Sequence, residues 1–141
     1  MKPDQIISSK NFVQNYKTLI TSIITDFINS DYNFAIIVKA KDLTLTPDLE
    51  LFKNPKEYVR FDILNYSFET AEIVENRFSF RAGFGQGSDV QESEVSIKLI
   101  NIFQIITLDS KPLFQNFAEE IEEDLDRKNL FLSKNKGLFG K

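Results

Sequence analysis

The sequence contains no cysteine and no histidine. Without cysteine the chain has no disulfide, no thiol nucleophile and no thiolate ligand for a metal. Without histidine it lacks the commonest general base, the commonest metal ligand and every Ser–His or Cys–His catalytic pair. Carboxylates, lysine and tyrosine remain, but no pair of carboxylates stands out from an ordinary solvated surface. We therefore expect a protein that is not an enzyme, with no catalytic residues, no metal and no cofactor.

Long apolar runs and a surplus of basic residues are missing as well. No segment approaches the roughly 18 apolar residues of a membrane span. The first residues, Met1–Gln5, do not resemble a signal peptide, because the first apolar run is short and broken by polar residues. The net charge of −4 argues against a nucleic-acid backbone as the main ligand. We expect a cytoplasmic protein with no membrane partner, and a reducing compartment fits the lack of cysteine.

Phenylalanine is abundant: the chain has 14 Phe and 4 Tyr but no Trp. These aromatic side chains predict a core with few polar atoms. A length of 141 residues is enough for one domain that buries such a core.

Glycine stands at every second position from Gly83 to Gly87, a density typical of phosphate-binding loops. Such a loop opens a helix, whereas the residues on both sides of this one alternate between apolar and polar, as strands do. No Lys-Ser or Lys-Thr follows the glycines, and acidic residues that would repel a phosphate do. We predict a β-hairpin whose tip uses glycine for positive φ. The apolar members of the two strands are Phe78, Phe80, Ala82 and Phe84 before the loop, and Val95, Ile97 and Leu99 after it.

An amphipathic helix is predicted to begin near Lys10, capped by Ser8 or Ser9. Its apolar residues recur at steps of three and four. This face either covers the domain's own sheet or is wide enough for the excess to pack on another subunit, and periodicity alone leaves both possibilities open. The apolar positions are Phe12, Tyr16, Leu19, Ile20, Ile23 and Phe27, with Ile24 and Ile28 widening the stripe.

The rest of the chain up to Phe117 is predicted to form strands and turns. One helix followed by antiparallel strands indicates an α+β domain whose sheet closes on itself or folds into two sheets. The apolar run 100–108 either ends a strand or makes a short helical turn. We expect strands at 34–40 and 58–64 and on both sides of the glycine loop, an irregular segment at 43–55, a turn at 72–76, and a last short strand or turn at 113–117.

The composition changes after Phe117, where a block of six acidic residues between Glu119 and Asp126 precedes a mainly basic end. Ile121 and Leu125 are four apart, so the block could be a helical turn or two, but a solvated linker is the preferred interpretation. We expect a domain over residues 1–118 and a flexible charged tail over 119–141.

The order of these segments resembles the stringent starvation protein B (SspB) family, most closely its shorter alphaproteobacterial form. The likeness covers about residues 10–118. It is carried by a helix followed by FAIIVKA, EYVRFDILNY, RFSFRAGFGQG and VSIKLINIFQIITLDSKPLFQNF. Phe84-Gly85-Gln86 stands where the family has Phe-Gly-Gly. The following loop is longer than usual, and Ser96 replaces a proline.

The resemblance implies an Sm-like β pseudo-barrel after an N-terminal helix, and a homodimeric adaptor. SspB proteins hold ssrA degradation tags and deliver the tagged proteins to the ClpXP protease. Two other functions stay open at this point: an Sm-like barrel that binds RNA, disfavoured by the charge, and a hydrolase or a barrel that binds a small molecule, disfavoured by the missing histidine and cysteine.

The resemblance also implies a set of site residues. A peptide groove would lie between the strands 58–64 and 77–84. Relatives carry an amide near the position of Asp62, and a carboxylate there can only accept hydrogen bonds and would repel acidic residues of a tag. The implied peptide-binding residues are Asp62, Asn65, Tyr66, Phe80, Arg81 and Ala82; the implied dimer interface is Tyr16, Ile20, Ile23 and Phe27; and Leu138, Phe139 and Lys141 would dock on the ClpX unfoldase.

Overall fold

A computed structural model describes residues 2–47, 57–85 and 87–119, apart from the side chain of Asp89. The chain begins with a short helix, α1 (Pro3–Ile7), followed by the long helix α2 (Lys10–Asn29). Ser9 caps α2, since its Oγ accepts a hydrogen bond from the N–H of Phe12 at 3.3 Å. The predicted start of the long helix is therefore confirmed. The expected tail, with its docking residues Leu138, Phe139 and Lys141, lies outside the described residues beyond Glu119.

The strands of the described residues form two four-stranded antiparallel sheets. The first sheet has the order β3-β1-β7-β8 and the second the order β2-β6-β5-β4. The strands are β1 (Phe34–Lys39), β2 (Thr44–Thr46), β3 (Tyr58–Ile63), β4 (Glu72–Val74), β5 (Arg77–Phe84), β6 (Gln91–Lys98), β7 (Ile102–Ile106) and β8 (Pro112–Gln115). A third helix, α3 (Asn65–Glu69), joins β3 to β4.

The α+β class is confirmed, and of the two sheet arrangements left open, the structure has two sheets. In the part of the chain that is described, neither sheet closes into a barrel, since each one ends in two edge strands. The hairpin at the glycine loop is also confirmed: β5 and β6 pair from Arg77 opposite Lys98 to Phe84 opposite Gln91. Gly85 has a φ of 109°, which favours glycine at the tip.

The main core fills the space between the two sheets and is closed by α2. Its centre is a chain of phenylalanine rings: Phe27 to Phe34 at 5.3 Å, Phe34 to Phe78 at 6.5 Å, and Phe78 to Phe80 at 5.5 Å between centroids. From α2, Ile20 and Ile24 join the same cluster with no exposed surface. Each such side chain stabilises the fold by about 1.5–3 kcal/mol relative to an exposed one.

A second, smaller cluster of buried side chains, formed by Val13, Ile100 and Ala118, lies around the buried side chain of Asn116. Its Nδ2 donates to the carbonyls of Ile100 at 3.0 Å and Ile102 at 3.2 Å, and its Oδ1 accepts from the N–H of Ala118 at 2.8 Å. The N–H of Glu119 then donates to the carbonyl of Ile7 at 2.9 Å. The end of the described chain is thus fastened to the junction of α1 and α2.

Several sequence-based boundaries are corrected by pairing with neighbouring strands. The segment 43–55, expected to be irregular, contains β2, and the expected turn 72–76 begins with β4. Strands of three residues are too short to show alternation, and both of these pair with longer strands of the second sheet. In the run 100–108 the helical alternative is found: a 3₁₀ turn (Leu99–Asn101) follows β6, and after it comes a separate strand of the first sheet, β7, which the sequence did not predict.

Candidate functional site

An open cleft of about 360 Å³ lies between the edge strand β3 of the first sheet and strand β5 of the second. These are the two strands between which the sequence predicted a groove. The predicted residues Asp62, Phe80 and Ala82 are among those that line it. The full lining is Arg60, Phe61 and Asp62 from β3, Ser67 from α3, and Phe80, Ala82, Gly83 and Phe84 from β5.

The floor of the cleft is aromatic. The rings of Phe61 and Phe80 meet nearly edge-on at 5.4 Å between centroids, and those of Phe61 and Phe84 at 6.3 Å. Phe80 is only 1% exposed, so it supports the floor from the core. Phe84 and Ala82 are half-buried and face the cleft from the same side of β5. The arrangement offers an apolar surface to a ligand.

One rim of the cleft is polar and held in place by Arg60. Its Nε donates to Asp62 Oδ1 at 2.9 Å, its Nη1 to Ser110 Oγ at 2.7 Å, and its Nη2 to the carbonyl of Leu108 at 2.8 Å. Arg60 therefore pairs with the carboxylate of Asp62 and holds it at the edge of β3.

The opposite wall is formed by α3, which begins where Asn65 takes a φ of 52°, a conformation that asparagine tolerates. Two hydroxyl groups fasten α3 to β5 through the backbone of a single residue, Arg81. Ser67 Oγ donates to the Arg81 carbonyl at 3.0 Å, and the Arg81 N–H donates to Thr70 Oγ1 at 2.9 Å. The hydroxyl of Thr70 in turn donates to the Tyr66 carbonyl at 2.8 Å.

The side chain of Arg81 lies on the other face of β5, where it meets Glu92. Arg81 Nε and the hydroxyl of Tyr66, the latter at 3.1 Å, both donate to Glu92 Oε1. These hydrogen bonds, the one from Arg81 first, lower the pKa of Glu92, and the bond to Glu92 raises the pKa of Arg81. The three side chains tie α3 to β5 and β6.

Three of the predicted peptide-binding residues therefore do not line the cleft. Arg81 alternates with Phe80 and Ala82, so its side chain points to the opposite face of the strand. Tyr66 is engaged with Glu92, and Asn65 stands exposed at the start of α3. Sequence reasoning did not single out Ser67 or Thr70. The available signal was a pair of hydroxyl residues in a short segment between strands, where such side chains bind nearby backbone groups.

The four residues predicted for a dimer interface are buried or half-buried within the chain itself. Ile20 has no exposed surface in the chain, and Ile23 and Phe27 pack partly against the same core. Tyr16 contacts Phe114 at 5.8 Å between ring centroids. On the same helix Leu19 is 46% exposed. A dimer contact through α2 therefore needs Leu19 and the exposed parts of its neighbours, and it stays a prediction.

Other parts of the described surface are less suited to an apolar ligand. A groove of about 390 Å³ runs along α2 and is lined by hydroxyl, amide and charged side chains, among them Gln14, Lys17, Thr21 and Asn76. Over residues 2–47, 57–85 and 87–119 no cluster of three or more Cys, His, Asp or Glu side chains could hold a metal. None of the helices described is both long and apolar enough to cross a membrane.

No family model matches the chain, and no curated protein matches it. The likeness to the SspB family therefore remains a prediction from the sequence.

Proposed function

We propose that this protein is a non-enzymatic adaptor that binds degradation-tag peptides of the ssrA type and delivers the tagged proteins to the ClpXP protease. The observation that carries the proposal is the cleft between β3 and β5. It combines an aromatic floor of Phe61, Phe80 and Phe84 with a polar rim. An open groove of this kind suits an extended peptide, whose alternate side chains face floor and solvent.

The charge pattern of the cleft supports a peptide more than a polyanion. Its two charged lining residues, Arg60 and Asp62, pair with each other. A nucleic-acid site would expose a surplus of unpaired basic groups along the path of the phosphates. The apolar lining therefore supplies the affinity that we propose, and the rim orients the ligand.

Peptide binding is tested by fluorescence anisotropy with a labelled ssrA-type peptide and a scrambled control. We expect a dissociation constant of about 1 μM or tighter for the tag and at least roughly tenfold weaker binding of the scrambled peptide. Equal affinity for the two peptides would contradict the proposal. Binding that falls steeply with salt and extends to RNA would favour the nucleic-acid alternative.

The location of the site is tested by filling the cleft. Ala82→Trp places a large ring over the aromatic floor and should abolish binding of the tag peptide. Val74→Trp introduces the same side chain at an exposed position of β4, in the same sheet but outside the cleft lining, and should leave binding unchanged. Far-UV circular dichroism of both variants checks that the fold is retained. Tag binding by a folded Ala82→Trp variant would place the peptide elsewhere.

Delivery to the protease is a separate step, which we assign to the C-terminal tail. A short basic and apolar docking peptide that is tethered to a cargo-binding domain raises the local concentration of cargo at the unfoldase. Deleting Leu138–Lys141 should spare peptide binding and abolish the stimulation of degradation by ClpXP. A truncated protein that delivers cargo as well as the full chain does would remove the tail from the mechanism.

A further inference from the structure

The edge of β5 that faces α3 and β4 has different hydrogen-bonding partners along its length. From Arg77 to Ser79 it pairs with β4. At Arg81 no strand is present, and the hydroxyls of Ser67 and Thr70 bind the carbonyl and the N–H instead. The two hydroxyls thus present one donor and one acceptor to a single residue, as a neighbouring strand would.

Gly83 is the next residue whose backbone points to this edge. In a strand, the N–H and C=O groups of every second residue lie on the same side. Since those of Arg81 face α3, those of Gly83 face the same way, and Gly83 lines the cleft. Glu92 of β6 lies opposite Gly83, but by the same alternation the two residues exchange no backbone hydrogen bond, and the backbone of Gly83 has no other hydrogen bond to any described residue. The exposed strand edge therefore begins at Gly83, directly after the hydroxyl pair.

We infer that a client peptide adds to β5 as a strand through the backbone of Gly83, and that Ser67 and Thr70 set its register by occupying Arg81. The inference rests on the proposed function, because it concerns how the peptide sits in the same cleft. Register along a strand slips in steps of two residues when the buried face is kept. The next position two residues away is Arg81, and its backbone is already bound by the hydroxyls of Ser67 and Thr70. Only one alignment of the peptide over the aromatic floor is therefore selected.

The geometry gives Ser67 and Thr70 a role as positioning residues. The hydroxyl of Thr70 connects β5 to α3, because it accepts a hydrogen bond from the Arg81 N–H and donates one to the Tyr66 carbonyl within α3. Without the hydroxyls, the Arg81 N–H and C=O would become available to a peptide. The exposed edge would then be longer by one pair of backbone groups, and two registers would compete.

Amide hydrogen exchange measured by NMR tests the pairing directly, with and without a saturating amount of the tag peptide used above. In the native protein we expect the Arg81 amide to be protected in both samples. The Gly83 amide should exchange at least about tenfold more slowly once the peptide is bound. If anisotropy shows that the peptide binds while exchange at Gly83 does not change, the inference is wrong and the proposed function stands. If the peptide does not bind, both fail.

Variants test the register. In Thr70→Val, which keeps the shape and removes the hydroxyl, the free protein should lose protection at Arg81 by about tenfold and regain it on peptide binding. Thr70→Ser keeps the hydroxyl and should behave as the native protein does. A scan of peptides with one N-methylated backbone nitrogen should show one position of large affinity loss in the native protein. In Ser67→Ala/Thr70→Val the loss should spread over two positions, two residues apart. An identical scan in the double variant would overturn the role of the hydroxyls.

Discussion

Arg60 and Ser110 are 50 positions apart in the sequence, yet the guanidinium Nη1 of Arg60 lies 2.7 Å from the hydroxyl oxygen of Ser110. The first residue belongs to β3 and the second to the turn between β7 and β8. In the first sheet β1 stands between β3 and β7, so the side chain of Arg60 spans the width of one strand. The same guanidinium pairs with Asp62 at the cleft.

Ser110, which accepts this hydrogen bond, has a backbone φ of 74°. This conformation predicts the relative stability of two variants at the position. Ser110→Ala removes the hydroxyl and keeps the unfavourable backbone conformation. Ser110→Gly removes the hydroxyl and relieves the strain, so it should be more stable than Ser110→Ala by about 1 kcal/mol. Urea denaturation measures the free energies of unfolding. Equal stability of the two variants would contradict the argument from φ.

Asp62 is predicted to limit the affinity for acidic tags. Asp62→Asn keeps an oxygen for the bond from Arg60 Nε and removes a negative charge at the cleft. The variant should bind the labelled ssrA-type peptide several-fold more tightly at low salt, with the gain shrinking at high salt. Asp26→Asn makes the same charge change on α2, outside the cleft lining, and should leave the affinity unchanged. Weaker binding by Asp62→Asn would mean that the carboxylate is needed.

Asn116 is predicted to be the least replaceable polar residue of the described domain. It is 4% exposed, and its side chain forms hydrogen bonds with two backbone carbonyls and one backbone N–H. Asn116→Ala should lower the free energy of unfolding by about 2–3 kcal/mol, since it leaves buried polar groups without partners. Asn116→Asp should cost more, because a carboxylate cannot donate to the carbonyls. The exposed neighbour Gln115, changed to Ala, is the control and should shift stability by less than about 0.5 kcal/mol.

The interaction between Glu92 and Arg81 predicts a pH dependence. The pKa of Glu92 is lowered in the folded protein. The carboxylate therefore stabilises the fold at pH values above its pKa in the unfolded chain, and this contribution is lost as the pH falls through the lower folded pKa. Carboxyl NMR titration should show Glu92 ionising below the ordinary range of glutamate, and Arg81→Ala should raise its pKa, with a smaller rise in Tyr66→Phe. An unshifted pKa in the native protein would contradict the geometry.

The proposed dimer through α2 is tested with two adjacent residues of opposite burial. Leu19→Asp places a charge on the exposed side of the helix and should yield a folded monomer. Ile20→Asp places a charge in the chain's own core and should unfold the protein at a cost of several kcal/mol. Sedimentation and circular dichroism distinguish the two outcomes. A native protein that sediments as a monomer at micromolar concentration would exclude the dimer.

Much of the fold follows from periodicity because its elements are long. The helix at 10–29 and the strands of the hairpin repeat their pattern over 20 and 8 residues. Strands β2 and β4 have three residues each and exist because longer neighbours pair with them. The formation of β2 and β4 depends on contacts between residues that are distant in the sequence, so no local sequence pattern indicates these strands.

The cleft was predictable in part for the same reason. Alternation along β5 places Phe80 and Ala82 on the face towards the cleft, and the same alternation excludes the side chain of Arg81. The assignment of Arg81 to the groove came from the resemblance to the SspB family and not from this alternation. The contribution of Arg81 lies in its backbone, which a pattern of side chains cannot indicate. Ile20 shows a similar limit, since an apolar stripe does not tell which of its members face the chain's own core.

The hydrogen bond between the Glu119 N–H and the Ile7 carbonyl has a mechanical consequence. A pull applied to the chain beyond Glu119 enters the domain at the junction of α1 and α2, and then reaches the buried side chain of Asn116. Neither point belongs to the cleft lining. A pulling force on that end of the domain would therefore act on the small cluster around Asn116 before it distorts the cleft that we propose to bind the peptide.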